Sequence, residues 1–397
     1  MKLNQLLFIL LIWFSCNRTR ETTVTESLPP APTVEDSIVH YSIKDNRIKV
    51  DLNNPQKASL FDYFSHIELI PLETNDDFLI GYIEEIIHYQ NRFYIFDRQQ
   101  KRIYIFDDTG KFIFQINKLG RGPGEYTLIR SIFLNPFTRN IDILGLGFVY
   151  SYDLSGKHVK TSPQLANPPI YPFNLVALNE KTYVFYSVMS SGINSYRISY
   201  YDMEEAKIFH QEYEVDPFFN TFAFVSSVRH THFYEYHGKW FFYHFVDNVT
   251  YEVGPDFLIK AYAWDFGRHN YDAKKINLPN TPSSISTLPY RIILQGQNNR
   301  YLMALIRLRN SVSDASVYLI HDKSTNECKY IEGFTESVDF LPKKVSNEYA
   351  LSWCSHRGVL ENYVSEEMLN EPNRQKFIDL MDSKKEMNPI IIKYYFN

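Results

Sequence analysis

Apolar positions along the chain come in short, dense runs separated by turn signals. Asn91–Phe96 (NRFYIF) is followed by Arg102–Phe106 (RIYIF), then by Asp107-Asp108-Thr109-Gly110 and Lys111–Ile116 (KFIFQI). The Asp-Asp-Thr-Gly stretch predicts a hairpin turn, because glycine supplies the positive φ that such turns need. The pattern returns at Asn140–Leu144, Val149–Asp153 and Leu154-Ser155-Gly156-Lys157, and more loosely at Thr182–Tyr186 with Tyr196–Tyr201. Trp240–Phe245 with Thr250–Val253, then Tyr301–Ile306 with Ser316–Ile320, complete the series. Starts near 91, 140, 182, 240 and 301 step by about 40–60 residues, the spacing of four-stranded propeller blades. Helical periodicity is confined to Ser365–Lys384.

These elements predict an all-β fold, a six-bladed β-propeller of four-stranded antiparallel blades with one short C-terminal helix. Dividing about 330 residues of folded body by six gives a plausible blade. The strand inventory favours six over five or seven. Asn347–Trp353 and Asn388–Phe396 (NPIIIKYYF) lie near the C-terminus, and the early strand His66–Leu72 (HIELIPL) has no partner near it. Placed as the outer strand of the last blade, His66–Leu72 closes the ring with strands from both termini and removes free edges.

Composition agrees with a packed domain. Among 397 residues, 44% are hydrophobic and 16% aromatic, which excludes a disordered or fibrous chain. Forty-one basic against 46 acidic residues leave a net charge of −5, too balanced for binding nucleic acid by phosphate neutralisation.

The first residues read as an address. Lys2 precedes an apolar run, Leu6–Phe14, too short to span a bilayer, where about 20 residues are needed. Ser15-Cys16 resembles the processing site of bacterial lipoproteins, in which the cysteine becomes the lipidated first residue. Trp13 and Phe14 stand where that family prefers smaller or aliphatic residues. Residues 1–15 are therefore expected to be a lipoprotein signal peptide and Cys16 the lipidation site. Residues 16–40, rich in Thr, Pro and Glu, read as a flexible tether, and 41–397 as the propeller domain. Asn17 is not an acidic retention signal, so by analogy with lipoproteins the outer membrane of the cell envelope is expected, on either side of it. Cys328 and Cys354 are the remaining cysteines, and sequence leaves open whether they pair.

The chain resembles the six-bladed β-propeller lipoproteins abundant in Bacteroidetes, relatives of the NHL-repeat propellers. The resemblance is carried by Leu72-Glu73-Thr74, Ile105-Phe106-Asp107-Asp108-Thr109-Gly110-Lys111, Tyr150-Ser151-Tyr152-Asp153-Leu154-Ser155-Gly156-Lys157, Asp265-Phe266-Gly267 and the Asn388-Pro389 strand. Its most specific part is Gly120-Arg121-Gly122-Pro123-Gly124-Glu125-Tyr126. It covers nearly the whole mature chain and implies fold and address more than activity.

That glycine run is expected to connect the outer strand Lys111–Ile116 of one blade to an inner strand Leu128–Leu134 of the next, at one mouth of the channel. Arg121, Glu125 and Tyr126 are the candidate ligand-binding residues there, for an anionic or sugar ligand. The plainer reading is that the glycines and Pro123 set the turn while Arg121 and Glu125 tie adjacent blades. A phosphate loop is disfavoured, because no Gly-Lys-Ser/Thr follows and a strand comes next. His230 and His232 would share a strand face and are weak metal candidates, in a segment that also holds His237 and His244. Their spacing matches no strong metal signature, and a structural role in an aromatic-rich hairpin is preferred. Paired acids such as Glu84-Glu85 and Glu366-Glu367 are read as diverging, solvated residues. No cofactor is expected.

Two functional classes follow. The first is a membrane-anchored binding or interaction module that takes a glycan, peptide or protein partner at the channel mouth. The second is a propeller enzyme acting on glycans, a glycoside hydrolase or lyase. The absence of any recognisable catalytic motif favours the first.

Overall fold

The computed structural model describes residues 46–75, 78–165, 171–189, 196–214, 232–271, 288–309, 314–383 and 386–397. They form six sheets arranged as six blades of a propeller. From inner to outer strand, blade 1 is Ile83–Tyr89, Arg92–Asp97, Arg102–Asp107 and Phe112–Ile116. Blade 2 is Ser131–Asn135, Asn140–Leu144, Val149–Tyr152 and His158–Thr161, and blade 3 is Tyr171–Ala177, Thr182–Met189, Tyr196–Asp202 and Lys207–Glu214. Blade 4 runs Phe233–Tyr236, Lys239–Tyr243, Val249–Val253 and Leu258–Asp265. Blade 5 runs Tyr290–Gln297, Tyr301–Arg309, Asp314–Asp322 and Glu327–Phe334.

Blade 6 closes the ring. Its inner strands Lys344–Val345 and Tyr349–Cys354 are followed by Ile390–Phe396, and Phe64–Pro71 from the other end of the chain is its outer strand. The closing register pairs Ile391 with Ile70 and Tyr394 with Ile67. The N-terminal segment does more than close. Arg47–Lys49 adds a fifth, parallel strand to blade 4 and Gln56–Ala58 does the same to blade 5, so the segment crosses the outer edges of three successive blades.

Each blade is buried on both faces, which is why its strands read as nearly continuous apolar runs. In Arg92–Asp97, Phe93 and Ile95 pack toward blade 6 with Leu351 and Ile391. The alternate residues Tyr94 and Phe96 pack toward blade 2 with Ile132, Ile141 and Ile143. The period-two alternation thus divides one strand between two seams.

Acidic residues set the outer turns. Asp107 accepts from the Thr109 and Lys111 backbone N–H groups and from the Thr109 hydroxyl, and Asp153 makes the same set to Ser155 and Lys157. Gly110 and Gly156 supply the positive φ, +88° and +82°.

The predicted helix is shorter than its periodicity suggests. The α-helix is Asn373–Asp382, preceded by a 3-10 turn at Glu366–Met368. Pro372 lies at its start, where a missing N–H costs nothing but the ring blocks a helical turn before it. Cys328 and Cys354 are unpaired thiols, and burial raises them to about 12 and about 11.

Candidate functional site

The blades surround a central cavity of about 1120 Å³, somewhat above the usual range for small-molecule pockets. Its walls come from the inner strands and from the loops where these strands begin and end. At the mouth where the inner strands begin lie Tyr82, Arg98, Arg130, Phe173, Lys343 and Trp353. The opposite mouth carries Phe137, Trp240 and Tyr349, with Trp240 packed on Phe133 at 5.4 Å between ring centroids.

Charge on the wall is arranged in pairs. Glu84 lies 3.5 Å from Arg98, and Glu85 lies 3.5 Å from Lys344. Glu85 also accepts from the Ile132 backbone N–H at 3.4 Å, so one carboxylate joins blades 6, 1 and 2. Burial raises the pKa of both acids, and the neighbouring cations oppose the rise. The expectation that Glu84-Glu85 are solvated is corrected here: they do diverge, as neighbours on a strand must, but both stand in the channel wall, and Glu85 is buried. Glu366 and Glu367 are exposed.

Arg130 donates to the Pro172 carbonyl at 2.8 Å, with its guanidinium 5.0 Å from the centre of the Phe173 ring. Lys343 extends over Trp353, its ammonium 5.7 Å from the ring centre. Burial lowers the Lys343 pKa. His88, in the wall near Tyr349, accepts or donates a 2.5 Å hydrogen bond with that phenol, and burial lowers it to about 4, so its ring is neutral at pH 7.

The glycine run connects blades 1 and 2, at the mouth where the inner strands begin. Glu125 accepts from the Gly122 N–H at 2.7 Å, and a Cβ on Gly120 would lie 1.9 Å from its carboxylate. Tyr126 is fully buried and its hydroxyl donates to the Ile116 carbonyl at 3.1 Å, while Arg121 is exposed. None of the three lines the cavity. His232 is buried with its ring 4.1 Å from Tyr186 and Nδ1 3.2 Å from the Tyr243 carbonyl. His237 and Gly238 form the following hairpin turn with φ of +52° and +71°. His230 and Cys16 lie outside the described residues. Among the described residues no group of three His, Cys, Asp or Glu side chains is placed to hold a metal. The cavity-wall residues escape sequence reading because they come from six inner strands scattered over the chain, and their signal there is a charged residue inside an otherwise apolar run, as at Glu84-Glu85 and Lys343-Lys344.

Fold and cavity together define a six-bladed β-propeller with a ligand-sized central channel. The chain belongs to the family described as a domain of unknown function, DUF4934, whose model matches residues 45–395. Among solved structures it is similar to a Bacteroides fragilis protein assigned as exported, with a TM-score of 0.66, 16% identity, and coverage of 88% of this chain and 99% of that one. It is also similar to a member of the DUF4221 family from Bacteroides vulgatus, with a TM-score of 0.52, 10% identity, and coverage of 84% and 96%. No curated protein matches. The expected propeller family, represented in Bacteroides, is thereby shown.

Proposed function

We propose that this protein is a lipid-anchored interaction module of the cell envelope that takes its ligand in the central channel. The observation that carries the reading is the cavity of about 1120 Å³, whose wall mixes aromatic rings with charged side chains. Concave, largely apolar sites with a few placed polar groups are the usual form of a ligand pocket. Binding is favoured over glycan hydrolysis because Glu84 and Glu85 are each occupied by a cation, whereas an acid-base pair needs two carboxylates facing one another across a cleft. Export is supported by the signal-like start of the chain, and anchoring by Ser15-Cys16. Several acyl chains at about 0.8 kcal/mol per buried CH₂ would hold the protein stably on a membrane.

The test is a thermal-shift screen of the full chain against oligosaccharides and peptides, repeated on Tyr82→Ala at one mouth and Ser346→Trp at the other. A ligand at about 100 times its Kd adds about 2.7 kcal/mol, a readable shift. The reading expects the shift to shrink in at least one variant. A shift unchanged in both would place the site elsewhere. Fractionation of Cys16→Ser tests the anchor: release from the membrane is expected, and retention in the same fraction would overturn it.

A further inference from the structure

The geometry points to an acidic oligosaccharide as the channel's ligand class, its carboxylates held at the mouth formed by Lys343 and Arg130; this rests on the channel being the binding site. The cavity wall carries Arg98, Arg130, Lys239, Lys343 and Lys344 against Glu84, Glu85 and Glu235. Lys239 is also paired with Glu252 at 2.9 Å, so five cations meet four carboxylates and the wall keeps a small positive excess in a chain whose net charge is −5. An excess of one sign in a low-dielectric cleft attracts ligands of the other sign.

Lys343 carries the argument furthest. An ammonium drawn even partly out of water favours oxygen atoms beside it, and a buried one requires them. The buried Lys323 obeys this rule, donating to Gln297 Oε1 at 2.8 Å and to the Asn298 carbonyl at 2.6 Å. Lys344 has Glu85. Lys343 has the Trp353 ring, and among the described residues no carboxylate or carbonyl pairs with its ammonium. Half-buried, it faces the cavity as a cation that a ligand carboxylate can reach. Arg130 stands at the same mouth on the inner strand of blade 2.

The aromatic rings select the carrier of the anion. Trp353 and Phe173 each sit beside one of these cations. Such a pair suits a ligand in which a carboxylate is fixed to an apolar ring face, as in a uronic acid, more than the flexible side chain of an acidic peptide. At about 1120 Å³ the cavity has room for several such rings.

The experiment is calorimetric titration of the full chain with tetragalacturonate, with a neutral galactose tetramer and hexaglutamate as comparators. The proposal expects tetragalacturonate to bind at least tenfold more tightly than either comparator and to weaken as salt rises. Lys343→Met should lose tenfold or more in affinity at unchanged melting temperature, while Lys343→Arg should keep most of it. Arg130→Lys provides a second variant if Lys343→Met folds poorly, and it should weaken binding severalfold. If the neutral tetramer binds equally well and Ser346→Trp or Tyr82→Ala weakens it, the acidic class is overturned while the channel reading stands. Preferential binding of hexaglutamate, or indifference of tetragalacturonate binding to Lys343→Met, also overturns it.

Discussion

The Tyr183 hydroxyl donates to Asp142 at 2.6 Å, from the second strand of blade 3 to the second strand of blade 2. Asp142 is completely buried and also accepts from the Ser151 hydroxyl at 2.5 Å and the Asn135 amide at 3.1 Å. Burial raises its pKa and the three donors oppose the rise. Tyr183→Phe removes one of them, and hydrogen bonds to charged groups contribute about 1.5–3 kcal/mol. Urea unfolding should show a loss of that size, with a slope unchanged from the parent.

Burial is the largest single influence on Asp107 and Asp153 and raises both, but the donors of their turns together outweigh it and hold them below the ordinary aspartate value. A depressed carboxylate contributes stability above its unfolded pKa, near about 3.9, and loses it as pH falls through the folded value. The melting temperature should therefore drop steeply below about pH 4. In the double variant Asp107→Asn, Asp153→Asn, that acid limb should flatten.

The sign is opposite for Glu85, whose pKa burial raises. Such a group favours the fold below its unfolded pKa and loses that contribution as pH rises through the folded value. Lys344→Met removes the cation 3.5 Å away and leaves the charged form with the Ile132 N–H alone. The variant should lose more stability at pH 8 than at pH 5, read by urea unfolding at both.

Gly110 packs under the closing strand. A Cβ there would lie 2.3 Å from the Pro71 carbonyl, and its φ of +88° is unfavourable for any L side chain. Gly110→Ala should cost at least about 1–3 kcal/mol from backbone strain, before any displacement of Phe64–Pro71 is counted. Gly147 has a φ of +73° with nothing near its Cβ, so Gly147→Ala should show the strain alone.

The two parallel N-terminal strands cover the outer edges of blades 4 and 5. A chain beginning at Ser59 keeps the closing strand but bares both edges. Uncovered strand edges pair between molecules. Light scattering should report self-association of that chain at concentrations where one beginning at Asn46 stays dispersed.

The second strand of each blade was legible because both its faces are buried. Arg92–Asp97 and Asn140–Leu144 accordingly lie within a residue or so of their expected positions. The closing role of Phe64–Pro71 was legible as well, from an apolar strand with no local partner. Most inner strands were not. Ile83–Tyr89 carries Glu84 and Glu85 because it borders the channel, and the innermost strand of blade 6 is only Lys344–Val345. Arg47–Lys49 and Gln56–Ala58 are three residues each and largely polar, too short for any periodicity. The glycine run was legible as a blade connection, whereas the wall of the cavity depends on which distant strands the ring brings together.

Pairing Ile67 with Tyr394 also sets a timetable. Phe64–Pro71 precedes the four-stranded meanders of blades 1 to 5 in synthesis, and its partner Ile390–Phe396 follows the other propeller strands. At about 5–20 residues per second, the early strand waits roughly 15–65 s for its neighbour. Blades 1 to 5 can form as local antiparallel meanders during that interval, but the ring stays open until Ile390–Phe396 emerges. Loss of Ile390–Phe396 would thus leave blades 1 to 5 complete, blade 6 without its third strand and the circle unclosed.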